Sequence, residues 1–553
     1  MKLEYMIELS KSKMQYVLAR LLSVGGMLLA QTTDALAQEE TKVRIELIHA
    51  DHGIGNKALH PDATIFKGNV HIRHKGMNMY CDSILFFGST NSIEAFSNVR
   101  MEQGDTLHIY GDYLYYDGVT ELARLRDNIK MVNRDVQLVT DSLNYDRTTD
   151  LGYYFNGGEL TDPENKLTSD WGQYNVNNKV AKFHKQVRLV NDNALLTSDT
   201  LHYNTDSKLV TILGPSDILN NGSEIHSTKG FYNSVTQEVN LYERSTINTD
   251  GRIMVGDSLY YDHLNGKGFG YGSVQMVDTI RKNIMEGDYC YYNELDQSAL
   301  LYDRAMLVDF SQNDSLYIHG DTVRLKTFDL DTDSVYRVIR LYNKVRMYKS
   351  DIQSVCDSLV YNSKDSCITL YNEPVMWNER QQLLGEKIML YLNDSTIEWA
   401  HIENQALGVE RLDSIHHNQI SGKEIKAYFE NGQMNKIDVD GNVMINFYQE
   451  ESNGVLLGLT YAETSLMEMY LENLQLEKVR MTTATTGVFY PLLMIPEDKL
   501  YFDNFVWLDY LRPLNKMDIF NWREKRPEHK LKAAVTEKSE MKLPAKQNTK
   551  RKK

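Results

Sequence analysis

Several things are missing from this chain. Only 9 of 553 residues are proline, against 35 tyrosines. Tyrosine is a strand former with a polar tip, and long helical signatures are scarce, so the chain leans towards all-β. The 4 cysteines, Cys81, Cys290, Cys356 and Cys367, show no zinc-ligand spacing. A Cys356–Cys367 bridge and free or buried thiols both stay open. No G-x-S-x-G, H-E-x-x-H or phosphate-loop motif is present, so no catalytic residue, metal or cofactor is expected. Positive charge is also short. The formal net charge is −16, with +1 on residues 1–37 and +8 on 523–553, leaving −25 on 38–522. A body this acidic repels nucleic acid.

Long apolar runs are lacking as well. The N-terminal stretch Leu21 to Ala30 has about 10 residues, too few to cross a bilayer at 1.5 Å per residue. Lys11, Lys13 and Arg20 precede it, and Ala35-Leu36-Ala37 follows as a small-x-small site. The pattern predicts an export signal over residues 1–37, cleaved after Ala37, with Met14 as an alternative start. An uncleaved anchor is the other reading. The composition, 42% hydrophobic and 25% charged, is that of folded protein.

What the chain does contain is a repeat. One phrase appears as Gly111-Asp112-Tyr113-Leu114-Tyr115-Tyr116-Asp117. It returns as Thr140-Asp141-Ser142-Leu143-Asn144-Tyr145-Asp146, as Ser198-Asp199-Thr200-Leu201-His202-Tyr203-Asn204 and as Gly256-Asp257-Ser258-Leu259-Tyr260-Tyr261-Asp262. Weaker copies sit at Asp82, Asp170, Thr228, Asp288, Asp321, Asp357 and Glu386, with a trace near Lys423. Positions 112, 141, 170, 199, 228 and 257 are each 29 apart, and later steps lengthen to 31, 33, 36, 29 and 37. A second phrase, apolar-x-apolar, often follows Asn, as in Asn69-Val70-His71-Ile72, Asn98-Val99-Arg100-Met101 and Asn128-Ile129-Lys130-Met131. Spacing of two is the period of a strand with one dry and one wet face. Turns rich in Asn, Asp and Gly, such as Asn156-Gly157-Gly158 and Asn220-Asn221-Gly222, separate the strands.

One unit cannot bury its apolar face alone, whereas stacked units bury a continuous strip. The reading is therefore all-β: an elongated, open stack of tandem units of about 29 residues. Leucine-rich repeats need L-x-x-L-x-L and calcium-binding nonapeptides need G-G-x-G-x-D, and neither pattern is present. A parallel β-helix stays open.

The succession G-D-x-L-x-Y-D, a turn, then Asn-Val-x-Met resembles the OstA-like family, which includes LptA, LptC and the periplasmic domain of LptD. It is most similar to the long OstA-like proteins of the Bacteroidetes type, over roughly residues 43–480. The resemblance implies an open β-jellyroll with an apolar channel and a non-enzymatic role in the periplasm or in association with the outer membrane: binding lipopolysaccharide and passing it on. It also implies partners of the same β-jellyroll kind, joined by strand addition. About twelve units, several times the content of a minimal LptA, and the lack of a C-terminal barrel depart from the family's pattern. The candidate groove residues are Ile129, Met131, Leu143, Tyr145, Val187, Leu189, Leu201, Tyr203, Leu259, Tyr261, Val274 and Met276. Leu, Val and Met would form the dry wall and Tyr the lip, ring dry and hydroxyl wet. For each of them ordinary core packing is the alternative. The competing functions are a structural or adhesive repeat protein with a filled interior and a carbohydrate-active β-helix enzyme.

Other features have plainer readings. The Asp column, Asp112, Asp141, Asp170, Asp199 and Asp257, caps its own turns rather than binding cations. His71, His74, His416 and His417 read as surface residues. The tandem repeats are placed over 38–450. Residues 451–522 form a degenerate last unit and an aromatic segment, from Tyr490-Pro491 to Trp522, which covers the open sheet end or docks on a partner. A basic, disordered tail follows over 523–553.

Overall fold

The computed structural model describes residues 43–55, 61–393, 396–430, 433–451, 454–472 and 475–526. The expected export signal with its cleavage site, and most of the basic tail, lie outside the described residues.

Among the described residues, 38 strands join into a single sheet. Every strand pairing is antiparallel, which excludes the parallel β-helix. The chain runs as a meander of long strands, Thr64–His74, Met77–Phe87, Ser92–Gln103, Leu107–Asp117, Leu122–Asn133 and Val136–Asp146, each paired with the next. One 29-residue unit is two such strands and their two hairpins. Elsewhere a long strand is broken at mid-length, as in Leu151–Tyr154 followed by Gly158–Thr161, both paired with Val136–Asp146.

The repeat phrases explain how the strands bend. Immediately before each apolar-x-apolar phrase the register slips by one residue, two residues facing one on the partner strand, between Phe96 and Val99, Arg126 and Ile129, His184 and Val187, and Tyr342 and Val345. Both intervening residues take the left-handed conformation, Ser97 and Asn98 at φ 63° and 52°, Asp127 and Asn128 at 64° and 50°. These are β-bulges, and they fold each strand near its middle. Asn is tolerated there because its short polar side chain bonds locally. Its partner is the Asp of the other phrase: Asn98 Nδ2 donates to Asp82 at 2.7 Å, Asn128 to Asp112 at 2.6 Å and Asn372 to Asp357 at 3.0 Å. Asp112, Asp141, Asp199 and Asp257 of the Asp column lie inside strands and so do not cap turns of their own. Where these bonds form, Asp braces the bend of the neighbouring strand, since it sits at mid-strand, one ladder step from the bulge.

Inward side chains from both halves of the folded strands meet in one core running from Ile45 to Met467. A second core lies on the opposite face near the C-terminus. Adjacent residues show the division: Cys356 belongs to the main core and Val355 to the second. The second core forms because residues 492–526 turn back along the outside of the stack. They pass from the Leu456–Glu472 strand to the Tyr336–Tyr348 strand, and Phe502, Leu508 and Leu511 cover Val375, Trp377, Leu384 and Val409. The aromatic segment thus lies along a face as a strap and does not sit over the sheet end. Its carbonyls and N–H groups need partners, and buried amides in the sheet supply them.

All four cysteines are free and buried. Burial pushes the Cys81 and Cys290 thiols up to about 12. The native protein should resist alkylation by a soluble maleimide at pH 8, and unfolding should release four reactive thiols, counted by mass. Rapid labelling of any of the four in folded protein would contradict this packing.

Candidate functional site

Folding each strand at its bulge brings two rows of hairpin tips towards each other, and a column of buried tyrosines marks the meeting line. Tyr116, Tyr145, Tyr174, Tyr203, Tyr232 and Tyr261 recur every 29 residues and are 0–6% exposed. All but the Tyr232 hydroxyl, which is buried without a partner, bond polar residues along this line. His74 Nε2 donates to the Val43 carbonyl at 3.1 Å, so its Nδ1 accepts from the Tyr116 hydroxyl at 2.7 Å. Burial holds the His74 pKa below its usual value. Tyr145 donates to Asp150 at 2.9 Å, and Gln103 bonds the same carboxyl at 3.0 Å. Asn133 donates to the Tyr174 hydroxyl at 3.1 Å and to the Val176 carbonyl at 3.3 Å. Tyr203 donates to the buried Asp162 at 2.5 Å, and Lys208 meets that carboxyl at 3.0 Å. Asn191 donates to the Ser234 carbonyl at 3.3 Å and Asn221 to Gln237 at 3.3 Å. Lys75, Glu121 and Arg147 form an ion-pair cluster across the same line. From His74 to Gln237 the stack is zipped shut along one side.

Beyond that seam the interior opens. A cavity of about 850 Å³ is lined by residues 247–429, within the size range of small-molecule sites. Its walls are apolar, among them Met254, Met276, Met285, Leu307, Leu325, Ile339, Leu359, Ile368, Leu390 and Ile397. Polar residues gather at the tips, including Arg252, Asp278, Arg281, Glu294, Asp309, Arg337 and Asp351. The opening follows from side-chain size. Where the tyrosine column should continue, Leu325, Leu390 and Ala427 stand instead, and Tyr292 and Tyr361 are only half-buried. A shorter residue at a column position leaves space that its neighbours do not fill.

The twelve sequence-chosen groove residues divide accordingly. Ile129, Met131, Leu143, Tyr145, Val187, Leu189, Leu201, Tyr203, Leu259 and Val274 are 0–1% exposed within the packed core, and none of them lines the cavity. Tyr261 and Met276 do line it. The tyrosines do not form a wet lip, because they are buried and, Tyr232 apart, their hydroxyls bond inside the stack. His74 and His417 are not surface residues: His74 is 1% exposed in the seam, and His417 is 5% exposed beside Tyr501, Phe505 and Trp507 under the strap. His71 and His416 are half-buried. Sequence reasoning missed the seam's polar column, although His74, Gln103, Asn133, Asp162 and Asn191 recur at steps of 29, 30, 29 and 29. The signal was there, hidden because the residue type changes at every step. Among the described residues no group of three or more His, Cys, Asp and Glu is placed to hold a metal, and no helix is long and apolar enough to cross a membrane.

A family model described as OstA-like protein matches residues 41–199 and 174–257. No curated protein matches the chain. Among solved structures, the WD40 domain of SCAP from fission yeast aligns over 61% of this chain and 96% of its own, at 11% identity and a TM-score of 0.10. That similarity is too low to bear on the fold.

Proposed function

Because residues 41–257 belong to the OstA-like family and the same stack opens into an apolar cavity further along, we propose that this protein is a periplasmic carrier or scaffold for lipopolysaccharide or a related lipid. The acyl chains lie in the cavity between residues 247 and 429 during transfer towards the outer membrane. The mechanism is solvation without bond chemistry. Each methylene moved from water into an apolar wall contributes about 0.8 kcal/mol, so a dozen contribute on the order of 10 kcal/mol before the cost of ordering the chain. Methionines at positions 254, 276, 285 and 347 give the wall side chains that adapt to chains of different shape. The cavity is the single observation that carries this reading. The zipped half, with its interior filled, serves as a rigid stem. Other β-jellyroll proteins would join by strand addition at the sheet's ends.

Photo-crosslinking in cells tests it. Crosslinkers at Leu325, Leu359 and Ile397 should capture lipopolysaccharide, whereas crosslinkers at Tyr145 and Leu201 should not. Capture at none of the first three, or equal capture at all five, would end the transport reading. The competing structural or adhesive role requires the interior to be filled throughout. The seamed half meets that condition, but the cavity half does not.

A further inference from the structure

Three guanidinium groups converge where the seam gives way to the cavity. Arg252 and Arg281 come from one row of tips and Arg337 from the other, and all three line the opening. Asp278 is the carboxyl they share, 2.9 Å from Arg281, 4.0 Å from Arg337 and across the strand pair from Arg252. Glu294, the other carboxyl on this side, accepts the Tyr261 hydroxyl at 2.6 Å. Arg337 is only 19% exposed and donates to Gln297 at 3.2 Å. Burial, and then Arg281, lowers its pKa from the usual value. This corner therefore concentrates cations on a body that is otherwise strongly acidic. Such a cluster is costly to desolvate unless an anion completes it. At the far rim, Asp309, Asp314 and Asp351 outnumber Lys349, so the opening is polarised from a cationic end to an acidic one.

We propose that Arg252, Arg281 and Arg337 form a headgroup site that takes the phosphate of an anionic amphiphile whose chains lie in the cavity. The proposal rests on the lipid-carrier reading and adds a charge requirement to it. Guanidinium forks match phosphate oxygens two at a time, a geometry ammonium groups do not offer. Ile253, Met276 and Val277 continue the wall directly from these arginines, so head and chain are accommodated in sequence. The polarised rim sets the orientation, with the phosphate at the seam end.

The test uses the full exported chain and three probes: a dodecyl phosphate, an uncharged dodecyl glycoside and inorganic phosphate. The alkyl phosphate should bind at least about tenfold more tightly than the glycoside, equivalent to about 1.4 kcal/mol, and inorganic phosphate only weakly. In the R281Q/R337Q variant that preference should fall to within about twofold, while glycoside binding stays as in the wild type and reports an intact fold. R252Q gives a second, milder loss should the double variant not fold. Equal binding of the two amphiphiles by wild type, or a preference that survives both variants, overturns the headgroup site and leaves the cavity reading standing. Inorganic phosphate binding as tightly as the alkyl phosphate also overturns it, as a free-anion site. Binding of neither amphiphile removes the cavity reading and this one with it.

Discussion

Raising the pH from 10 to 12 should unfold the seamed half of the stack. Burial pushes the phenols of Tyr154 and Tyr232 up to about 12, and it pushes those of Tyr116, Tyr145, Tyr203 and Tyr261 up further still. Hydrogen bonds to Asp150, Asp162 and Glu294 add to the rise at Tyr145, Tyr203 and Tyr261. The folded values lie above the unfolded value near 10, so these phenols keep their protons in the native state and lose them on unfolding. Their contribution is complete below pH 10 and is lost as pH climbs towards the folded values. Each proton contributes a slope of about 1.4 kcal/mol per pH unit, and six together about 8. Half of each unfolded phenol is still protonated at pH 10, so between pH 10 and 12 the six together remove on the order of 10 kcal/mol, comparable to the roughly 5–15 kcal/mol by which a folded unit is stable. Tyrosinate absorbance should rise in two phases: exposed phenols first, then a steep step coincident with loss of β-sheet circular dichroism. Tyr203→Phe should lessen the slope by about 1.4 kcal/mol per unit, and at pH 7 it should cost about 1–3 kcal/mol, because Asp162 and Asn165 lose a buried partner. A single smooth titration near pH 10 with the sheet intact would show that the seam is not closed as described.

The second large effect concerns the strap. Gln382 is 0% exposed, and its amide serves three groups at once. Its Oε1 accepts from the Trp377 indole at 3.1 Å and from the Leu508 N–H at 2.7 Å, and its Nε2 donates to the Val506 carbonyl at 2.8 Å. Gln419 does the same further along, donating to the Leu500 carbonyl at 2.8 Å and accepting from the Phe502 N–H at 3.0 Å. Asn446 donates to the Lys499 carbonyl at 2.8 Å, and Gln353 accepts from Arg512 at 2.7 Å. Gln382→Ala leaves two donors and an acceptor buried without partners, each costing about 1–3 kcal/mol. The expected loss is on the order of 4 kcal/mol, together with rapid proteolysis within residues 492–526, read by denaturant midpoint and mass spectrometry. Gln382→Glu keeps both acceptor roles and should recover part of the loss. A Gln382→Ala protein within about 1 kcal/mol of wild type, with the strap still resistant to protease, would show that the amide column does not hold it. The strap itself explains why the outward positions Val355, Trp377 and Val409 are apolar in a sheet that elsewhere faces water.

Much of this architecture was readable from the chain. Leu114 with Tyr116 and Ile129 with Met131 sit two apart and recur every 29 residues, and all four lie in one core. The Asp and Asn of the two phrases were visible as columns, but their bond was not, because they stand 16 residues apart on different strands. The candidate site was harder to place. A strictly kept repeat marks where packing is tightest, so choosing the best-kept Leu and Tyr positions selected filled core. The cavity lies where the repeat decays, at Leu325 and Leu390, and no single position there announces an opening.

The order of residues alone determined the period, the alternation of wet and dry faces and the all-β class, because these depend on side chains a few positions apart. Whether the dry face encloses packed side chains or empty space was decided only in three dimensions. That outcome depends on the summed volume of residues from many strands, on whether two rows of tips about forty residues apart find hydrogen-bonding partners, and on a strap that returns across more than a hundred positions to bond Gln382 and Gln353. Volume and closure are properties of the assembled stack, and a local pattern cannot encode them.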